Sequence, residues 1–432
     1  MPVIEQLRAQ EILDSRGRPT VKASCVLRGG PCVSASVPSG ASRGSAEAAE
    51  LRDGDPKRYR GLGCRRAAAN VCEEINAALA GLEFETQAQM DAALLSLDGT
   101  HDTSRLGANA VLSVSIAFAR ATATLRKVPL YHHFADMLGQ SARRLPRPAI
   151  NLFSGGKHAG GQVSIQDVLI IPSSTATVDD SLAMAFEVFQ SAAELVANRY
   201  GQRLLRADEG GLAPPAPSSP ALLADAVEAI EKAGLKPGKD VCLAVDVAAS
   251  HFHRQGRYTL DGKQHSAGEM IQMLTNWVQA WPIVSIEDGL SEEDWSHWPQ
   301  LCAALGGRVL VIGDDFLCTN PGRIQRALAA KSANALLLKV NQIGTLTEAA
   351  AALALARGVQ WQVMVSARSG ETEDDWLADL AVGWSGDQIK IGSITQSERL
   401  AKYNRLLAIE RETGWPVNTW PGSPVPLVSG CS

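Results

Sequence analysis

A chain of 432 residues exceeds one average domain and leaves room for two. Its hydrophobic share of 45% and charged share of 20% are those of an ordinary globular protein, and its net charge of −5 gives neither a nucleic-acid footprint nor a cationic membrane face. No uninterrupted apolar run approaches the ~20 residues of a bilayer span, no apolar leader follows the first residues, and the eight cysteines form no C-x-x-C pair, so a cytoplasmic protein without zinc or disulfides is expected.

Residues 3–37 read as strands: VKASCVL and PCVSASV alternate or run apolar and are separated by Gly29-Gly30. CRRAAANVCEEINAALAGL and ANAVLSVSIAFARATATLRK follow with helical texture. Strands followed by helices make residues 1–135 an α+β domain. RRLPRPA at 143–149 is a Pro-bearing connector.

Residues 145–420 read as a second domain built on a repeated plan. VCLAVDVAAS, PIVSIEDG, RVLVIGDDF, ALLLKVNQIG, QVMVSARSG and DQIKIGS each put an apolar run first and a polar or charged group at its C-terminal end. Near-continuous Val/Ile/Leu strands are buried on both faces, as in parallel sheets. Such units in series predict a closed (β/α) barrel with its chemistry at the C-terminal strand ends. An open doubly wound sheet is the alternative, but no glycine-rich phosphate turn is present. The Pro/Gly/Ser-rich end, residues 421–432, is expected to be an irregular tail.

Asp246, Glu287 and Asp314 end three different strands. One such acid is more often a helix cap than a ligand. Three converging on a barrel mouth repel one another strongly, and a divalent cation removes that repulsion. An all-oxygen set points to Mg²⁺, or Mn²⁺, rather than zinc. Lys339 and Lys390 are expected to end two further strands. Either they pair with the acids as a structural ring, or one of them, its pKa lowered by neighbouring cations and low-dielectric walls, removes a carbon-bound proton. Arg368 and Ser369 suit a phosphate.

Long motifs connect these groups: EILDSRGRPTV at 11–21, VPSGASRG at 37–44, LGANAVLSVS at 106–115, DEGGLAP at 208–214, SIEDGLSEEDW at 285–295, LLLKVNQIGTLTEA at 336–349, RSGETED at 368–374 and SERLAKYNRLL at 397–407. Through them the chain resembles the enolase family over nearly its whole length. The resemblance implies an N-terminal α+β cap on an enolase-type modified (β/α)8 barrel with a ββαα opening. It implies two Mg²⁺ sites, Asp246, Glu287 and Asp314 holding one and Ser42 a second that depends on substrate. It makes Lys339 the general base, Glu209 the general acid and Asp167 a further catalytic carboxylate. It places His158, Gln166, Arg368, Ser369 and Lys390 on the substrate, a small phosphorylated acid, and implies a homodimer or larger homo-oligomer.

Two departures fall inside that set. The family's Ser-His-Arg-Ser reads Ser366-Ala367-Arg368-Ser369 here, and its Gln-Glu reads Gln166-Asp167. Ala367 removes a titratable ring and opens space beside the phosphate contacts, while Arg43 and Lys157 add positive charge to nearby loops. A larger or second anionic substrate follows. One family branch, carboxyphosphonoenolpyruvate synthase of phosphonate and phosphinate natural-product biosynthesis, joins CMP-activated phosphonoformate to a three-carbon acid, and this reading is favoured. Ordinary dehydration of 2-phosphoglycerate to phosphoenolpyruvate is the alternative, and a non-catalytic enolase-like binding protein a third.

Overall fold

The computed structural model describes residues 2–41, 44–201 and 205–420. The N-terminal part opens with an antiparallel meander of β1 (Ile4–Leu13), β2 (Pro19–Leu27) and β3 (Cys32–Ser36). Alternating burial along β2 turns one face toward helix Ala108–Arg126, which packs on β2 and β3. That helix amends the sequence expectation about apolar runs. By length and composition it is apolar enough to cross a membrane, but 83% of its most apolar window is buried inside the protein. Its many Ala, Ser and Thr residues let it serve as the core helix of the cap.

The remaining strands are β4 (Arg147–Ser154), β5 (Asp167–Pro172), β6 (Val241–Asp246), a small surface meander of β7 (His253–Arg254), β8 (Arg257–Leu260) and β9 (Lys263–His265), and then β10 (Ile283–Glu287), β11 (Leu310–Gly313), β12 (Ala335–Leu338), β13 (Gln362–Ser366) and β14 (Gln388–Gly392). Eight of them close a barrel in the order β10-β11-β12-β13-β14-β4-β5-β6. All neighbours are parallel except β5, which runs against both β4 and β6. Two strands are followed by helices Val178–Tyr200 and Ser219–Lys232 before β6, giving the ββαα opening.

Period two along each strand decides what reaches the mouth. Cys242 and Ala244 of β6 belong to the inner cluster that fills the barrel, so Asp246 also points inward. A register irregularity between Ile283 and Ser285 brings Ser285 and Glu287 opposite Ala244 and Asp246. Ile312 on β11, and Ala335 and Leu337 on β12, fill the interior, which leaves Asp314 and Lys339 next in phase. Lys390 does not end its strand as expected. It lies inside β14, two residues short of Gly392, level with Ser366 and with inward-facing Ala149.

Cap and barrel are joined by buried polar contacts. The Gln87 amide donates to Asp91 Oδ1 at 2.9 Å, and Asp91 Oδ2 accepts from both N–H and hydroxyl of Thr347 on the barrel, at 2.9 and 2.6 Å. Gly370, at the barrel mouth, lies so close to Asp14, Arg16 and the Ser39 carbonyl that any side chain there would collide with the cap.

Another buried group of the cap, His133, yields a stability prediction. Its Nδ1 accepts from the Arg126 guanidinium at 3.2 Å. Burial, then the Arg126 charge, lower its pKa to about 4. The unfolded chain, with an ordinary histidine pKa, takes up a proton that the folded protein refuses. The stabilising contribution is therefore complete above the unfolded value and is lost as pH falls toward 4. Relative to His133→Phe, the wild type should lose about 2 kcal/mol between pH 7 and pH 5. Parallel urea-midpoint profiles for the two proteins would refute this.

Candidate active site

The barrel mouth gathers the strand-end side chains into one charged cluster. Lys390 Nζ donates to Asp246 Oδ2 and to both Glu287 oxygens, each at 2.9 Å. Lys339 Nζ donates to Asp314 Oδ2 at 2.5 Å, and the Gln342 amide donates to Asp314 Oδ1 at 3.0 Å. Gln166 Nε2 donates to Asp246 Oδ2 at 3.0 Å. Asp167 Oδ2 meets His158 Nδ1 at 3.0 Å, its Oδ1 accepts from Ser154 at 2.6 Å, and His158 Nε2 lies 3.8 Å from Glu209 Oε1. Asn151 on β4 donates to Glu209 Oε2 at 3.0 Å.

The cap completes the wall. The Arg368 guanidinium donates to both oxygens of Glu47, at 3.2 and 3.1 Å, and to Asn341 at 3.0 Å. Arg16 donates to Ser369 Oγ at 3.0 Å and is itself held by Asp14. Ala367 is 6% exposed, and its N–H donates to the Lys390 carbonyl at 2.8 Å. The candidate residues Asp246, Asp314, Lys339, Glu209, His158, Gln166, Ala367, Arg368, Ser369 and Lys390 all line one cavity. Glu287 and Asp167 bond to members of that lining from behind it. Ser42 and the tail at 421–432 lie outside the described residues. The cavity is about 30 Å³, and two larger ones, of about 670 and 680 Å³, lie elsewhere and hold none of the strand-end chemistry. Volume therefore does not locate the site; the convergence of strand ends does.

The charges differ in one respect from the sequence expectation. Lys339 was expected to have a lowered pKa. Burial, the largest single influence, lowers it, but the Asp314 and Glu287 carboxylates together raise Lys339 above the ordinary lysine value. Lys390 is raised much further, against burial, by Asp246 and Glu287. Burial opposes ionisation of Asp246, yet Lys390 brings its pKa down to about 2. Glu287 is driven well above the usual carboxylate range by burial and by Asp246. A single ammonium is thus shared by two carboxylates. Glu209 sits below its ordinary value because His158, Arg399 and Lys390 outweigh burial. His158 rises to about 9 because Asp167 and Glu209 overcome its own burial.

Several contributors went unremarked in the sequence reading. Asp288 accepts from the backbone N–H groups of Asp314 and Asp315, at 2.8 and 2.9 Å, and so fixes the loop that carries Asp314. Asp288, Asp314 and Asp315 bring carboxylate oxygens within 4.8 Å of one another, as do His158, Asp167 and Glu209 with their ligand atoms. Asp288 and Asp315 directly follow two singled-out acids, so a signal was present. Arg16 lies within the EILDSRGRPTV motif, whereas Asn151, Glu47 and His251 carried no signal, because only the fold brings them to the mouth.

A capped parallel barrel with carboxylates and lysines converging at its C-terminal mouth is the scaffold of a metal-assisted enzyme acting on small anions. The chain matches the enolase N-terminal domain over residues 4–134 and the enolase C-terminal TIM barrel domain over residues 142–422. It belongs to the enolase family, whose members are generally lyase-type enzymes using Mg²⁺ on small phosphorylated substrates and are usually oligomeric. Oxygen donors suited to that metal are present: Asp288, Asp314 and Asp315 offer carboxylate oxygens within 4.8 Å of one another, while Asp246 and Glu287 are bridged by the Lys390 ammonium.

Proposed function

We propose that this enzyme forms an enolate from a 2-phosphoglycerate-type acid and completes a phosphonoformyl transfer from a CMP-linked donor, as carboxyphosphonoenolpyruvate synthase does, rather than the loss of water. The carrying observation is Ala367. It replaces the family histidine beside Arg368 and Ser369, while Lys339, Lys390, Glu209 and the three carboxylates remain. Asp246, Glu287 and Asp314 would hold one Mg²⁺, and Ser42 would serve a second. The metal, when bound, neutralises charge developing on the substrate carboxylate.

The chain's own residues supply the rest. Lys339 Nζ, an ammonium while it holds Asp314, would pass its proton to solvent once Asp314 is given over to the metal site, and the neutral amine would then take the α-proton. Lys390, raised far above neutrality, stays cationic and faces the substrate carboxylate. Arg368 and Ser369 orient the phosphate. Asp167 is one methylene shorter than the family's glutamate, which sets this carboxylate back from a leaving hydroxyl and favours a second half other than dehydration.

Ordinary enolase is the competing reading, favoured by the retained base and ligand set. Phosphorus NMR of the purified protein with Mg²⁺, 2-phosphoglycerate and CMP-phosphonoformate separates the two. A new carboxyphosphono-ester signal with little phosphoenolpyruvate is expected. Rapid conversion of 2-phosphoglycerate to phosphoenolpyruvate, with the donor left intact, would overturn the proposal.

A further inference from the structure

His251 enters the site by a route that strand periodicity does not trace. It stands on the short turn Ala249–Phe252 that follows β6. Val247 N–H donates to the Glu287 carbonyl and Ala249 N–H to the Asp288 carbonyl, both at 3.0 Å. Between them Ala248 is held left-handed at φ 47°, a conformation that alanine adopts only under constraint. On the far side, Ser250 Oγ accepts from Glu292 N–H at 2.8 Å. A turn pinned at three points and strained between two of them does not place its side chains by accident.

The placed side chain is an imidazole that lines the same cavity as Ala367, Arg368 and Lys339. Its Nδ1 is buried and has no hydrogen-bond partner among the described residues. Burial and the charge of Lys157 lower its pKa to about 4, against Asp246 and Asp314, so the ring is neutral over the working range. A neutral imidazole has one N–H to donate and one lone pair to offer. The Lys157 charge that disfavours the imidazolium also favours an anion beside it. No residue already assigned to the first substrate or to the metal engages this ring nitrogen.

We infer that His251 is a specificity residue that hydrogen-bonds the phosphonate or phosphate oxygens of a second substrate bound against the cavity wall that His251 and Ala367 share. This rests on the two-substrate reading above.

The test is calorimetric binding of phosphonoformate to the full-length protein holding Mg²⁺ and 2-phosphoglycerate, compared among wild type, His251→Phe and His251→Gln. His251→Phe should weaken binding about tenfold, the loss of one hydrogen bond to a charged group. His251→Gln, which keeps a donor, should recover most of that loss. If His251→Phe does not fold, as judged by its circular-dichroism melt, His251→Ala with and without added imidazole replaces it, and imidazole should restore affinity. Equal dissociation constants for wild type and the ring-deleted variant overturn the inference but leave the two-substrate reading standing. Failure of wild type to bind phosphonoformate also overturns it, and the product NMR then decides the reading separately. A larger change in affinity for 2-phosphoglycerate than for phosphonoformate would assign His251 to the common substrate instead and likewise overturn it.

Discussion

Lys339→Ala is expected to slow exchange of the α-hydrogen of 2-phosphoglycerate with solvent by about 10³-fold, within the range a positioned proton-transfer group supplies. Deuterium incorporation followed by proton NMR isolates this step from whatever the enzyme does next. The lysine ends the inward face of β12 and is held by the Asp314 carboxylate at 2.5 Å. Lys339→Arg should be nearly as slow, because a guanidinium keeps the charge but cannot give up its proton near neutrality. That comparison separates a base from an ion-pair partner. If arginine restored exchange, Lys339 would be part of a structural ring and another group would have to be the base. Loss of less than tenfold in the alanine variant would lead to the same conclusion.

The second large effect is expected from Ala367→His. The residue is buried between the Lys390 carbonyl, which accepts its N–H, and Arg368. An imidazole built there takes the space that the proposed donor needs and crowds a tightly packed wall, a change that typically costs about 1–3 kcal/mol. Expressed in the transition state for transfer, that range is about 5- to 150-fold in kcat/KM for CMP-phosphonoformate. α-Hydrogen exchange should fall much less, and any dehydration activity should rise. Donor kinetics like those of wild type would remove Ala367 from the specificity argument.

Much of the mouth was legible because a barrel strand is a counting device. Once VCLAVD is read as a buried parallel strand, the phase of Cys242 and Ala244 dictates that of Asp246. The same logic reaches Asp314 and Lys339 from the residues before them. It reaches Glu287 only through the irregularity at Ile283–Ser285, which no apolar pattern announces. Lys390 was expected at the end of its strand but lies two residues short of it. What escaped altogether depends on contacts distant in sequence. Arg368 and Glu47 are 321 residues apart, and nothing local in either segment reports that they meet. His251 escaped for another reason: its turn has neither helical nor strand periodicity, so only the folded chain shows which cavity its ring lines. Lys339 stands above the value expected from neighbouring cations and low-dielectric walls because its nearest charge is a carboxylate.

One reversed strand has a consequence for how such a site can be remodelled. β5 runs opposite to its neighbours, so Asp167 is its first residue, whereas Asp246 and Glu287 are the last of theirs. The chain just upstream of it, residues 154–166, also carries Ser154, His158 and Gln166, which bond to Asp167 and Asp246. Acid, imidazole, hydroxyl and amide therefore travel together as one contiguous cassette. Recombination or grafting of residues 154–167 would exchange that quarter of the mouth in a single event, leaving the metal-facing strands with their own sequence.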